Sequence, residues 1–287
     1  MNKNRNKNRN KIKIAMCQMK VVDNKEVNIK KAIEMINRAK ANKADIAILP
    51  EMFNCPYENE KFVEYGESYE NSPTLKEIAQ TAEENNIHVL AGSIPEIETT
   101  QNGKKKIYNS SFLFDDKGEL ITRHRKLHLF DIDIENKISF KESETISAGD
   151  KITIAKTKFG KIGIAICYDI RFPELSRAMT LKGAKILIIP GAFNLTTGPA
   201  HWELLFRARA LDNQLFTIGT SPALNKNSSY HAYGHSIICN PFGEVIVQGT
   251  YDEELLIAEI DLNEINKVKE ELPLLKHRRT DLYQLKY

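Results

Sequence analysis

Cys167 stands where a cysteine could act as a nucleophile. The apolar run 162–166 has the length of a strand and ends at Cys167, and Arg171-Phe172-Pro173 then predicts the start of a helix, because a first helical turn tolerates proline. A turn from strand to helix lifts its side chain out of the sheet and directs backbone N–H groups towards it. This geometry favours a thiolate and an oxyanion beside it, although a lone free cysteine is more often buried and inert.

A carboxylate follows a second buried strand. Residues 45–49 have another buried-strand pattern, an aspartate followed by four apolar residues, and Pro50 and Glu51 come next. Functional side chains gather beyond the carboxyl ends of strands in open α/β sheets, so Glu51 and Cys167 occupy equivalent places on two strands. A surface or capping acid is the other interpretation of Glu51, and the coincidence of two such strand ends makes a functional role equally tenable.

Lys126 lies just beyond a predicted hairpin strand, in a basic stretch that also contains Arg123, Arg125 and two histidines. A lysine next to a cysteine lowers the pKa of the thiol, and it can later stabilise the negative oxygen of a tetrahedral intermediate. A solvated basic cluster explains the same composition equally well.

The seven histidines leave a papain-like pairing of cysteine with histidine open as an alternative. His124/His128 and His231/His235 also have the four-residue spacing of metal ligands on a helix. The first pair encloses two basic residues that would repel a cation, and the second lies in a stretch rich in Ser, Tyr and Gly. We therefore predict no metal site, and because the glycines match no phosphate-binding pattern we predict no cofactor.

Alternating strands and helices must position these residues in the first part of the chain. Apolar periodicity predicts strands at 12–18, 45–49 and 87–92 and helices at about 27–41 and 73–85. Strands that alternate with helices need crossover connections, so we expect a largely parallel arrangement here.

From residue 108 onward, paired strands join the pattern. The sequence predicts hairpins at 108–124, 152–166 and 236–248, a long loop at 126–149, helices ending near 181 and 213, and strands at 186–189, 215–220 and 255–260. The order helix, strand, hairpin thus occurs in both halves, which fits two sheets covered by helices. Because no linker composition separates the halves, we predict a disordered basic tail at 1–10 and one domain at 11–287.

Composition excludes several partners. Hydrophobic residues make up 41% and charged residues 28% of the 287 residues, as in globular proteins, and no apolar run is long enough for a membrane span. The formal net charge is +3, but the tail with Lys11 carries five basic and no acidic residues, which leaves about −2 for the rest. We therefore predict neither a nucleic-acid nor a membrane partner.

The cysteines indicate the compartment. The chain has four of them, at 17, 55, 167 and 239, without CxxC spacing, and no signal peptide precedes them. Reduced thiols and a cytoplasmic location are expected. The glycosylation sequons at Asn109, Asn194 and Asn227 are then chance matches.

Three motifs resemble those of the nitrilase superfamily of carbon-nitrogen hydrolases: Leu49-Pro50-Glu51, residues 125–130 and residues 163–174. The resemblance extends over nearly all of the chain from Lys11 onward. It is sharpest for the omega-amidase branch, which hydrolyses the terminal amide of alpha-ketoglutaramate and alpha-ketosuccinamate. The stretches that carry this likeness are 51–57, 128–133, 140–143 and above all 190–203.

The resemblance implies a fold and a reaction. The fold would be an α/β four-layer αββα sandwich that pairs into a homodimer, αββα-αββα, or a higher homo-oligomer. Glu51 would be the general base, and Cys167 would attack the carbonyl of a small amide to form a thioester. Lys126 and the backbone N–H of Tyr168 would bind the oxyanion, and Glu142 would position Lys126. Such a set needs no histidine.

Fewer residues of the motifs bear on substrate recognition than on catalysis. Arg171 is a candidate partner for a substrate carboxylate, because its guanidinium can bind one bidentately, or it forms a salt bridge with an acid such as Glu174. Further pocket residues are expected at Phe193, Asn194, Thr196, Thr197 and Tyr57.

Three alternative functions stay open. The chain could be a deaminated-glutathione amidase, an N-carbamoyl amide hydrolase, or a catalytically silent scaffold subunit. The sequence gives the scaffold no support, since Glu51, Lys126, Glu142 and Cys167 are all present.

Overall fold

Two six-stranded sheets form the centre of the computed structural model, which describes residues 10–135 and 138–287. The tail predicted at 1–10 falls outside the described residues except for Asn10, whose backbone oxygen accepts the N–H of Leu262.

The first sheet has the order β14-β1-β2-β3-β4-β5. Its strands are β1 (Lys11–Gln18), β2 (Ile46–Ile48), β3 (His88–Thr99), β4 (Lys105–Phe114), β5 (Leu120–Arg125) and β14 (Glu254–Asp261). Strands β1, β2 and β3 are parallel, and the outer pairings are antiparallel. This confirms the parallel arrangement that the alternation of strands and helices predicts.

The second sheet has the order β13-β12-β11-β10-β9-β8. Its strands are β8 (Thr153–Thr157), β9 (Gly160–Ile164), β10 (Ile186–Pro190), β11 (Phe216–Thr220), β12 (Ile237–Cys239) and β13 (Val245–Gln248). Strands β9, β10 and β11 are parallel, again with antiparallel strands outside them. The two sheets therefore share one strand pattern although their sequences differ, and β14 returns from the second half of the chain to complete the first sheet.

The α-helices of the described residues are α1 (Lys25–Ala41), α2 (Asn59–Glu64), α3 (Pro73–Asn85), α4 (Pro173–Leu181), α5 (Gly198–Asn213) and α6 (Asn263–Glu271). Helices α1 and α3 cover the outer face of the first sheet, and α4 and α5 cover that of the second. Local signals set their starts: the side chain of Asn24 accepts the N–H of Val27 ahead of α1, and that of Ser72 accepts the N–H of Leu75 ahead of α3.

Apolar residues lie in three layers. Alternate residues of β1 point to opposite faces, so Ile14 packs between the two sheets while Ala15 packs towards α1 and α3. The inner layer joins both halves through strand residues such as Ile48 and Ile188. On the far side, α4 and α5 pack on the second sheet. The fold is the predicted αββα sandwich.

The sequence prediction is wrong in the segment 126–149. It predicts a loop, but the structure has a two-stranded hairpin of β6 (Asp131–Ile134) and β7 (Ile138–Lys141), followed by a short helical turn at Glu142–Glu144. Each of these strands has only four residues, so the alternation of apolar and polar side chains is too short to be recognised in the sequence. Helices α2 and α6 are also absent from the prediction, because each buries only one or two apolar side chains.

None of the helices in the described ranges is both long enough and apolar enough to cross a membrane.

Candidate active site

Cys167 occupies a strained turn between a parallel strand and a helix. Strand β9 ends at Ile164, a short helical turn covers Cys167–Arg171, and α4 begins at Pro173. The backbone φ of Cys167 is +47°, in the left-handed region that residues with a β-carbon avoid. Gly191 makes this possible at the end of β10, because a β-carbon there would lie 3.2 Å from the Cα of Cys167.

Glu51 is fully buried just beyond β2, where three elements fix its carboxylate. Its Oε2 accepts the backbone N–H of Ala192 at 2.7 Å. Its Oε1 accepts the Nδ2 of Asn109 at 2.8 Å and the Nζ of Lys126 at 3.0 Å. One carboxylate oxygen thus faces the end of β10, and the other faces the end of β5.

Lys126 is also fully buried and binds two carboxylates at once. Its Nζ lies 3.0 Å from the Oε1 of Glu51 and 2.8 Å from the Oε2 of Glu142, and it contacts the hydroxyl of Tyr57 at 3.2 Å. The backbone N–H of Phe130 donates to the Oε2 of Glu142 at 2.7 Å. The structure therefore brings three of the four predicted catalytic side chains into direct contact.

Burial and charge set the protonation states. Burial favours the neutral form of Lys126, but the carboxylates of Glu142 and Glu51 outweigh it and raise its pKa, so it stays an ammonium. Burial, and then the charge of Glu51, raise the pKa of the Cys167 thiol well above its ordinary value against the opposing effect of Lys126. The pKa of Glu142 is raised by burial, opposed by Lys126 and increased again by Glu51. The thiol therefore rests protonated and needs a base.

Asp169 ties the Cys167 turn to the segment that carries Lys126. It is fully buried, and its Oδ1 accepts the backbone N–H of His128 at 2.9 Å and lies 2.8 Å from the Nδ1 of the same residue. Its Oδ2 accepts the N–H of Ile166 at 3.0 Å and lies 3.3 Å from the Nε2 of His124. Burial would raise the pKa of Asp169, but hydrogen bonds from the two histidines outweigh it and lower the pKa.

Two histidines near Lys126 are thus committed to Asp169. The ring of His128 also stacks on Phe172 with centroids 3.6 Å apart. None of the hydrogen bonds between described residues joins a histidine to Cys167. No group of three or more His, Cys, Asp or Glu residues in residues 10–135 and 138–287 could hold a metal ion.

Arg171 lies beside the nucleophile without an acidic partner among the described residues. Its guanidinium stacks over the rings of Phe193 and Tyr168, at 4.7 and 5.5 Å, and its Nη1 donates to the Nδ1 of His201 at 3.1 Å. Its Nε is buried without a hydrogen-bond partner. The alternative salt bridge with Glu174 does not occur.

The other predicted pocket residues fall into two groups. Tyr57 contacts the catalytic cluster directly, with its hydroxyl 3.4 Å from the Oε1 of Glu51. Asn194 instead caps its own turn, since its Oδ1 accepts the N–H groups of Thr196 and Thr197 at 3.0 and 2.9 Å. Thr196 is exposed. These two threonines therefore shape the chain before α5.

Sequence reasoning missed three residues of this site. Asn109 and Asp169 contact partners far along the chain, and Tyr230 packs its ring 4.7 Å from that of Tyr57 and donates its hydroxyl to the backbone oxygen of Ala192. A weak signal existed for Asp169, because it is an acid in the same turn as the nucleophile. Nothing in the sequence marks Tyr230.

The family model for carbon-nitrogen hydrolases matches residues 13–270. The chain belongs to the carbon-nitrogen hydrolase family. Nitrilase homolog 2 of Dictyostelium discoideum is 48% identical over 92% of this chain and 79% of the relative. Omega-amidase NIT2 of Xenopus tropicalis is 44% identical over 95% of this chain and 96% of its own length. The crystal structure of Saccharomyces cerevisiae Nit3, a member of branch 10 of the nitrilase superfamily, superposes with a TM-score of 0.86 at 41% identity, covering 94% of this chain and 97% of that one. These findings confirm the resemblance seen in the motifs.

Replacing Asp169 with Asn should lower stability and turnover together. The amide cannot accept all the N–H donors that face it, so we expect a loss of about 3 kcal/mol in the free energy of unfolding at pH 7. Because the folded protein depresses the pKa of Asp169, this difference should persist down to about pH 5 and shrink below about pH 4. Urea unfolding across this range is the measurement.

The exposed Asp252 provides the control, since Asp252→Asn should leave both properties unchanged. A difference for Asp169→Asn that stays constant down to pH 3 would contradict the role given to its carboxylate.

Proposed function

We propose that the protein is an omega-amidase. It hydrolyses the terminal amide of small dicarboxylate monoamides, such as alpha-ketoglutaramate and alpha-ketosuccinamate, to the acid and ammonia through a cysteine thioester. The observation that carries the proposal is the buried contact of Glu51, Lys126 and Glu142 beside Cys167. The identity to the omega-amidase relative over almost the whole of both chains supports the branch.

Acylation uses Glu51 and Cys167. The Cys167 thiol rests protonated, so Glu51 takes its proton as the sulfur attacks the amide carbonyl. The carbonyl oxygen becomes an oxyanion, which the Lys126 ammonium and the backbone N–H of Tyr168 stabilise. Glu51, now protonated, delivers that proton to the nitrogen, the carbon–nitrogen bond breaks, and ammonia leaves behind a thioester on Cys167.

Deacylation runs through the same residues. Glu51 removes a proton from a water molecule, which attacks the thioester carbonyl; the carbon–sulfur bond then breaks, Glu51 returns that proton to the sulfur, and the acid departs. Glu142 accepts two hydrogen bonds from Lys126, at 3.0 and 2.8 Å, and thereby holds the ammonium at the oxyanion position. Its carboxylate transfers no proton in this scheme.

Arg171 binds the distal carboxylate of the substrate. A partly buried guanidinium beside aromatic rings, with no acidic partner in residues 10–135 and 138–287, is costly until an anion pairs with it. A substrate carboxylate supplies that anion. Phe193 and Tyr57 form apolar walls, and the turn of Asn194, Thr196 and Thr197 closes the pocket.

The protein assembles as a homodimer or a larger homo-oligomer through its outer helical layer. Leu204 of α5 is 63% exposed and Phe242, in the turn between β12 and β13, is 54% exposed. Gly243 of the same turn lies against Leu211 of α5, so these side chains share one surface. A contiguous patch of exposed apolar side chains is typical of an interaction site, so we place the interface here. The mass in solution, measured by light scattering, should be a multiple of the monomer mass, and a monomeric mass would contradict the assembly.

We also propose a cytoplasmic location. All four cysteines are buried free thiols, as expected in a reducing compartment.

Ammonia release should identify both the substrate and the nucleophile. We expect wild type to turn over alpha-ketoglutaramate faster than deaminated glutathione or an N-carbamoyl amine, and Cys167→Ala to lose at least about 1,000-fold in kcat because no thioester can form. Cys239→Ala, which removes another buried thiol, is the matched control and should keep full turnover. Faster turnover of one of the other two substrates would contradict the omega-amidase assignment. Turnover by Cys167→Ala would contradict the thioester mechanism.

Replacing Arg171 with Leu should lower kcat/KM only for substrates that carry a carboxylate. Loss of one partner of a buried charge pair costs at least about 2 kcal/mol, so kcat/KM for alpha-ketosuccinamate should fall about thirtyfold or more. The value for an uncharged amide such as propionamide should change less than about threefold. Arg177→Leu on α4 is the control and should change neither. An equal loss on both substrates would show that Arg171 does not select the carboxylate.

A further inference from the structure

Asn109 touches both catalytic carboxylates. It lies in β4 and is fully buried. Its Nδ2 donates to the Oε1 of Glu51 at 2.8 Å and to the Oε1 of Glu142 at 3.2 Å. Its backbone oxygen accepts the N–H of Lys126 at 2.9 Å. The side chain of Asn109 therefore contacts both carboxylates, and its backbone binds the backbone of Lys126.

The charge of the site explains why a neutral donor belongs there. Glu51 and Glu142 both direct an Oε1 atom at Lys126, at 3.0 Å each, so two like charges converge on one ammonium. The hydroxyl of Tyr57 adds only long contacts to these oxygens, at 3.4 and 3.5 Å. An amide N–H₂ donates to both oxygens without adding a positive charge. The amide can therefore stabilise the two carboxylates without neutralising the charge of Glu51, the proposed general base.

Only the nitrogen of the Asn109 amide has hydrogen-bond partners. Both N–H groups of Asn109 have a carboxylate acceptor, whereas its Oδ1 is buried without a partner. An oxygen turned towards the carboxylates would repel them, so they determine the orientation of this amide. The asparagine thus gives up one hydrogen bond in order to donate two to the catalytic pair.

We propose that Asn109 is a positioning residue that keeps the carboxylate of Glu51 directed at Cys167 by holding its Oε1 together with that of Glu142. The inference rests on the proposed roles of Glu51 and Glu142. Asn109 also begins a glycosylation sequon, but its full burial excludes glycosylation in the folded chain. The positioning role gives this residue a function instead.

The proposal predicts a shift in the pH profile. Hydrogen bonds to a carboxylate lower its pKa, so losing them moves the acid limb of kcat/KM to higher pH. The other titratable groups that face the two carboxylates are Lys126, Tyr57, Cys167 and Tyr230, and none of them is altered in the test.

The test compares Asn109→Leu, which keeps the branched shape of the side chain, with Asn109→Ala, which adds no bulk. Both variants should shift the acid limb upward by about 1–2 pH units and lower kcat/KM at neutral pH by about tenfold or more, with little change in KM. Asn213→Ala is the matched control, because Asn213 is equally buried, also leaves its Oδ1 unpaired and donates only to the backbone of Arg209. Its profile should equal that of wild type, and near-UV circular dichroism checks the fold of each variant.

A second readout separates this proposal from the proposed function. The rate of alkylation of Cys167 by iodoacetamide, located by peptide mass, is measured over the same pH range and needs no natural substrate. An upward shift in both Asn109 variants supports the positioning role even where wild type hydrolyses none of the tested amides. An unshifted acid limb in Asn109→Leu, whether or not its rate falls, overturns the proposal.

Discussion

One buried ammonium shared between two buried carboxylates is the interaction on which the rest of the site depends. Lys126, Glu51 and Glu142 have no exposed side-chain surface, so each buried carboxylate depends on the ammonium within hydrogen-bond distance of it, and the ammonium depends on the two carboxylates. The three residues come from the end of β5, the end of β2 and the turn after β7. The αββα sandwich brings these ends together beneath the turn that carries Cys167.

The same constraint explains the chemistry. Because it is buried beside a net negative charge, the thiol of Cys167 keeps its proton until a substrate arrives, and Glu51 is oriented to receive that proton. The strained backbone of Cys167 is held by Asp169, whose buried carboxylate fastens the turn to the segment of Lys126. Nucleophile and oxyanion stabiliser are thereby fixed relative to each other before binding, which is the condition for electrostatic stabilisation to be effective.

Sequence patterns predicted those parts of this structure that depend on neighbouring residues. The apolar pattern of residues 12–18 and the helical stripe before Ala41 predicted those elements, and the motifs around Glu51, Lys126 and Cys167 indicated the family and, through it, the four layers. The hairpin at 131–141 was not predicted, because its strands are only four residues long. Asn109 was interpreted as a chance sequon, since its partners Glu51 and Glu142 lie 58 and 33 residues away and only folding brings them together. The catalytic roles themselves are predictions that activity measurements must test.

The most direct measurement is ammonia release by Lys126→Met, a change that keeps most of the side-chain volume and removes the shared charge. The account predicts a fall in kcat of at least about 1,000-fold in a protein whose near-UV circular dichroism is that of wild type, because one carboxyl must then take up a proton and the oxyanion loses its cation. Turnover within about tenfold of wild type would contradict the claim that this ammonium organises the site.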